Sequence, residues 1–207
     1  MAAEKTVILD WLSGLAATII SDADDTADFA ARVEVAAALD AAAFSQEALD
    51  LMRMVGESVS AETDFEAIKV DPTATGETLA VMQILTAFGA AIGGVRVAWP
   101  SRPAARNARQ RIAETGETGL AAVSALGADG AQLFGWLSGV VALCVRMVSE
   151  IAATATPMVA VETGISLPSA VLAHRLYGDA TRASQLFEEA NAATPMLMPT
   201  RFQALAR

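Results

Sequence analysis

Cysteine occurs once in 207 residues, at Cys144, inside an apolar run. A single thiol excludes an intramolecular disulfide, a cysteine-ligated zinc site and a two-thiol redox motif. In such surroundings it reads as a small buried hydrophobe. Histidine also occurs once, at His174, so there is no paired-histidine metal signature and no second imidazole to support a general base. Aromatic residues make up 5% of the chain, too few to interleave with basic residues as a base-stacking platform. Lysine and arginine number 14 against 24 aspartates and glutamates, and the net charge of −10 disfavours general nucleic-acid binding, which needs cations to displace counterions. Nucleophile motifs and phosphate-cradling glycine loops are missing as well; Gly93-Gly94 is apolar on both sides and lacks a following lysine-serine or lysine-threonine. These absences predict a chain that is not an enzyme and takes no metal or cofactor.

One acidic run, Ser21 to Asp28, invites a calcium reading. A calcium loop starting at Asp22 requires glycine at its sixth position and glutamate at its twelfth, and these are Ala27 and Val33. The run instead suits the start of a helix, where carboxylates meet the positive end of the dipole. Glu4 and Asp10 flank the first apolar stretch, a pattern unlike a secretion signal, so a cytoplasmic start is expected.

What the chain has in abundance is apolar surface. Its 54% hydrophobic content, much of it alanine, exceeds what disordered chains carry and suits thin, closely packed helices. Apolar spacing predicts a helix over 6–20, a second running to about Ala43, and a third capped by Ser45 and ending near Gly56, with Phe44 and Leu49 as a staple across the cap. Lys69 to Gly76 reads as a loop. Three long helices then span about Glu77–Trp99, Pro103–Leu126 and Asp129–Thr154, broken by Pro100 and Pro103 and by Gly127, with Asp129 and Gln132 spaced as a capping box. Short breaks favour antiparallel neighbours, hence a helical bundle over 1–156.

The first and third of these long helices raise the question of a membrane. Thr78 to Val95 carries no charge, and Gly89…Gly93 and Gly135…Gly139 have the small-residue spacing of close helix crossings in lipid and in water alike. Gln83, the threonines, and arginines at one end only weigh against a span. Gly89 and Gly93 are expected at a tight crossing with another helix, for which Gly135 and Gly139 are the candidate partners. Between these helices, Arg102, Arg106 and Arg109 stand four and three residues apart and share a face. Such a face either pairs with the acidic first third of the chain or forms a docking stripe for an acidic partner or a nucleic-acid backbone.

After Pro157 the texture changes. A strand at Met158–Val161, a helix from Leu167 to Tyr177, a turn at Gly178, a helix from Ala180 to Asn191 and a strand at Arg201–Leu205 are expected over 157–207. Gly178 suits a left-handed helix end and Asp179 a cap for the next helix, with Leu176 and Tyr177 packing inward. Within this region Pro168, Ser169, then Arg175-Leu-Tyr-Gly-Asp179, then Asn191 follow an order that resembles the end of the Mu-like phage DNA circularisation protein N family. The same stretch resembles a LysM module, a βααβ fold with a similar tyrosine–glycine–aspartate turn. It departs from LysM at Gly164-Ile165 and Pro199-Thr200, and the protein N family's usual N-terminal domain has no counterpart here.

The resemblance implies a mainly α protein, a helical bundle followed by a small LysM-like docking module, that serves as a structural part of a phage tail or baseplate. It would work in an oligomeric assembly with other tail proteins, located in the virion and, before assembly, in the host cytoplasm. The alternatives are a small holin-type membrane protein, from the apolar helices, and a peptidoglycan-binding LysM protein.

Overall fold

The computed structural model describes residues 3–206. Among them are nine α-helices and a two-stranded antiparallel sheet. The chain forms two compact units, one of residues 3–99 with 106–151 and the other of 100–105 with 152–206. This division falls a few residues before the 156/157 boundary expected from sequence. Residues 100–105 join the C-terminal unit, where the Arg102 amide donates to the Thr156 carbonyl at 2.9 Å.

In the larger unit, α1 (Lys5–Ile19), α2 (Ala23–Ala36) and α3 (Ala41–Ser58) follow one another closely. Asp22 caps α2 by accepting from the Asp24 and Asp25 amides, which accounts for the acidic run. The expected second helix ends early, at Ala36. Asp40, not Ser45, caps α3, accepting from the Ala42 and Ala43 amides at 3.0 and 2.9 Å. Asp40 stands one residue before an uninterrupted alanine run, and aspartate is at least as good a cap as serine. Ser45 lies inside the helix with its hydroxyl on the Ala41 carbonyl, so the staple between Phe44 and Leu49 does not form across a cap. A short α4 (Glu62–Ala67), absent from the expected elements, buries Phe65 and is held at its start by the Asp64 carboxylate, which accepts from the Ser60 and Ala61 amides.

Helix α5 (Gly76–Arg96) is the centre of this unit. Its buried residues lie all round the helix, from Met82 through Phe88, Ala90 and Ala91 to Gly94, as expected of a helix with neighbours on several sides. Helix α3 packs along it, α6 (Arg102–Ser124) reaches it through Ile112 and Gly119, and Trp136 of α7 (Ala131–Thr154) meets Phe88 with ring centroids 4.8 Å apart. Trp99 closes one end, its indole N–H donating to the Gly94 carbonyl while its ring meets Phe65 edge-on at 5.4 Å. Asp129 is not at the start of α7 but within a 3-10 turn, Gly127–Gly130, whose entry requires φ +65° at Gly127.

The C-terminal unit has the order β1 (Met158–Glu162), α8 (Ser169–Tyr177), a 3-10 turn (Ala180–Arg182), α9 (Ala183–Glu189) and β2 (Arg201–Leu205). The strands pair antiparallel with Met158 opposite Leu205 and Glu162 opposite Arg201, the latter pair forming an ion pair at 2.9 Å. Leu172, Ala173, Leu186, Met198, Phe202 and Ala204 make its core. Gly178 takes φ +74° and its amide returns to the His174 carbonyl, ending α8 in the left-handed conformation that glycine adopts without strain. Asp179 then accepts from the Thr181 amide and hydroxyl at 2.8 and 2.7 Å. Asn191, at φ +45°, is the one described non-glycine residue in that region and terminates α9.

Candidate docking surfaces

The charged side chains of the larger unit meet mainly in surface ion pairs on α2 and α3. Among the described residues no group of three or more histidine, cysteine, aspartate or glutamate side chains is placed to hold a metal ion. His174 is exposed on α8. Burial pushes the Cys144 thiol upward, away from the reactive thiolate. A cleft of about 390 Å³ in the larger unit is lined by Ile8, Phe44, Leu85, Leu126 and Leu133, with Lys5 among its polar groups. The Lys5 ammonium is engaged, donating to the Leu39 carbonyl and lying 5.4 Å from the Phe44 ring centroid.

Helix α7 carries the most unusual surface. Among the described residues two helices are long and apolar enough to cross a membrane, and they differ in burial. The most apolar stretch of α5 is 67% buried, whereas that of the segment Gly127–Thr154 is 22% buried. The inward stripe of α7 runs through Leu137, Val141, Cys144 and Val148. The opposite stripe runs through Gln132, Gly135, Trp136, Gly139, Leu143 and Met147, all exposed. Trp136, Leu143 and Met147 each leave more than two-fifths of their surface open. Large apolar residues scattered singly on a surface need no account, but a contiguous stripe of them marks an interaction site.

Gly135 and Gly139 belong to that open stripe, and a Cβ on either would meet nothing within 4 Å. Their expected crossing with Gly89 and Gly93 does not occur. Gly89 faces Met52 of α3, and Gly93 faces Val59 and Ile68. The reason lies in α3, where Gly56 stands at the crossing point and lets the α5 backbone approach, a third glycine that the spacing within α5 and α7 does not reveal.

The three arginines differ in their surroundings. Arg102 is half-buried and donates through Nη2 to the Ala153 carbonyl in the C-terminal unit. Arg106 and Arg109 are exposed and make no ion pair with the acidic first third among the described residues. The acidic residues there are served by local arginines, Arg32 with Glu47 at 2.7 Å and Arg53 with Glu57 at 3.2 Å. Arg111, outside the expected stripe, is the arginine the larger unit uses: it donates to the Glu66 and Ile68 carbonyls and covers the Phe65 ring at 4.7 Å. Burial lowers its pKa, with Glu66 opposing.

In the C-terminal unit the fold-specifying residues mark the ends of its helices. Pro168 precedes α8, and its carbonyl accepts from Leu172; Leu176 and Tyr177 pack against the unit's core; Arg182 lies 3.9 Å over the Tyr177 ring. Arg175 is exposed and explains nothing in the fold. The two loops flanking the helices run side by side, with the Met198 amide on the Leu167 carbonyl and the Ser166 hydroxyl on the Met198 carbonyl. They present Ile165, Met196 and Leu197, each more than three-fifths exposed. No protein-family model matches the chain, and no curated protein matches it.

Proposed function

We propose that this chain is a non-catalytic assembly protein of a phage tail or baseplate, acting through the open face of α7 and a LysM-like C-terminal docking unit. The observation that carries the reading is the α7 stripe, a run of exposed apolar and small side chains on a rigid helix that costs free energy in water until something covers it. Dispersed acids and bases and a lone exposed histidine support a role in binding over one in chemistry. The tail placement rests on the likeness of the Pro168–Asn191 stretch to the end of Mu-like protein N. The strand–helix–helix–strand order and the Gly178-Asp179 turn suit a LysM-like unit, and the apolar loop tips at Ile165, Met196 and Leu197 suit protein docking better than sugar binding.

Deleting residues 157–207 in the phage genome is expected to give particles with absent or incomplete tails, with the remnant chain missing from them. Normal infectious particles, or virions that never contain the full-length chain, would end the tail reading. A second reading, a holin-type membrane protein, is favoured by the same uncovered apolar helix. Fractionation separates the two: membrane protein needs detergent for extraction, whereas an assembly protein stays in the aqueous fraction.

A further inference from the structure

The open stripe of α7 has a size pattern that mirrors about Gly139. Three positions out, Ala142 on one side matches Trp136 on the other; four out, Leu143 matches Gly135; seven out, Arg146 matches Gln132; eight out, Met147 matches Ala131. All of these residues and Gly139 are exposed, and the two glycines have open space above them. Each bulky apolar residue of the stripe thus has a small residue at its mirrored position, and the one arginine has a hydrogen-bonding amide at its own.

We propose that α7 docks on α7 of a second copy of this chain, antiparallel, across a two-fold axis at Gly139. A two-fold interface must be self-complementary, and a mirrored pattern of large and small residues is the sequence form of that requirement. In this register Trp136 lies over Ala142 of the second copy, Leu143 over Gly135, and the two Gly139 residues meet where the axes come closest. Arg146 reaches Gln132 and, one turn further, Asp129 of the other copy, so the charges also match. A parallel pair would set Trp136 on Trp136 and Arg146 on Arg146. Lipid is a poorer cover, because Arg146 and Gln132 lie on this face near its two ends and would have to be held at or inside the edge of the hydrocarbon. Trp136 is already held against Phe88, so it loses little rotamer freedom on docking. The paired stretch, Ala131 to Met147, is about 25 Å of helix, and one helix pair of that length lies at the small end of specific interfaces, where complexes are typically weak and transient. The proposal rests on α7 being a docking face and is independent of the tail placement.

Sedimentation of the full chain between about 1 and about 100 μM, the range a small interface requires, is expected to show a monomer–dimer equilibrium. Gly139→Glu and Leu143→Glu should each weaken it at least tenfold while leaving the helical circular dichroism and thermal midpoint of the monomer unchanged. For register, Gly135→Cys and Leu143→Cys are prepared separately in a Cys144→Ala background. Mixed under mild oxidation, they should cross-link to each other and not to themselves. A chain monomeric at every concentration, a dimer indifferent to both glutamates, cross-links only between like positions, or binding to vesicles in place of dimerisation would each overturn the proposal. If the chain is monomeric but Leu143→Glu still removes it from virions, self-pairing fails and the docking face survives.

Discussion

Gly56 of α3 and Gly89 of α5 touch backbone to backbone: a Cβ on Gly56 would stand 3.1 Å from the Gly89 carbonyl oxygen. The helices meet this closely because neither carries a side chain at the crossing, and Met52 fills the space a Gly89 side chain would need. The glycines of this protein therefore fall into two populations, those under a neighbour and those under solvent.

The two populations should respond oppositely to substitution. A Cβ on Gly119 would lie 2.5 Å from the Cβ of Ala87, which is fixed to its helix and cannot rotate away. Gly119→Ala is expected to cost about 1–3 kcal/mol through overpacking, and Gly89→Leu at least as much. Gly135→Ala, in open space, should stabilise the monomer by up to about 1 kcal/mol, the helix preference of alanine over glycine. Urea unfolding of the three variants at low concentration checks this, and equal losses at all three positions would contradict it.

At φ +74°, Gly178 should tolerate no β-branched residue. Gly178→Val is expected to destabilise the C-terminal unit by about 1–2 kcal/mol or more, the left-handed penalty for an L residue with added β-branch crowding. Hydrogen exchange read on β1, α8 and β2 is the measurement, since loss should concentrate there. Unchanged protection across these elements would show the turn to be dispensable.

The Asp179 carboxyl titrates below its ordinary value because the Thr181 hydroxyl, then the Thr181 amide, donate to its charged form. A carboxylate depressed in the folded state contributes stability above its unfolded pKa and loses it as pH falls through the folded value. Carbon-detected NMR should place its midpoint below that of an unperturbed aspartate, and Thr181→Val should move it upward. A midpoint at the ordinary value would mean the cap is not formed in solution.

His174 is exposed, in the last turn of α8. His174→Ala should leave assembly function intact and the fold within about 0.5 kcal/mol of the parent, as for surface substitutions generally. Elemental analysis of the purified chain should find no stoichiometric zinc. Zinc at one equivalent, or loss of function on this substitution, would reopen the question of chemistry.

Much of the architecture was legible because it depends on local punctuation. Pro157, Gly178 and Asp179 act on their own backbone and near neighbours, so the order of strands and helices from 158 to 205 follows from reading along the chain. The start of α3 was misplaced for a related reason: Asp40 and Ser45 are both competent caps, and the choice is settled by which of them precedes the helix that buries Phe44, Ala48 and Leu51. What the three arginines pair with is decided at longer range. Helical spacing puts Arg102, Arg106 and Arg109 on one face, but Arg102 finds the Ala153 carbonyl and the others find no ion-pair partner among the described residues.

Sequence alone determined that the chain is mainly helical, where the breaks after Gly76 fall to within a few residues, and that two helices, α5 and α7, are long and apolar. It did not determine which of the two is the core. Their most apolar stretches have nearly the same mean hydropathy, 1.7 and 1.6, yet one is 67% buried and the other 22%. Hydropathy measures what a helix would gain by leaving water, whereas burial depends on how many neighbours the tertiary structure gives it. Around α5 the fold sets α3, α6 and α7, with Gly56 and Gly119 admitting two of them at close range. For α7 it covers one side through Leu137, Val141, Cys144 and Val148 and leaves the Gly139 side open. The same apolar composition thus makes a core helix in one place and a helix with one uncovered side in the other.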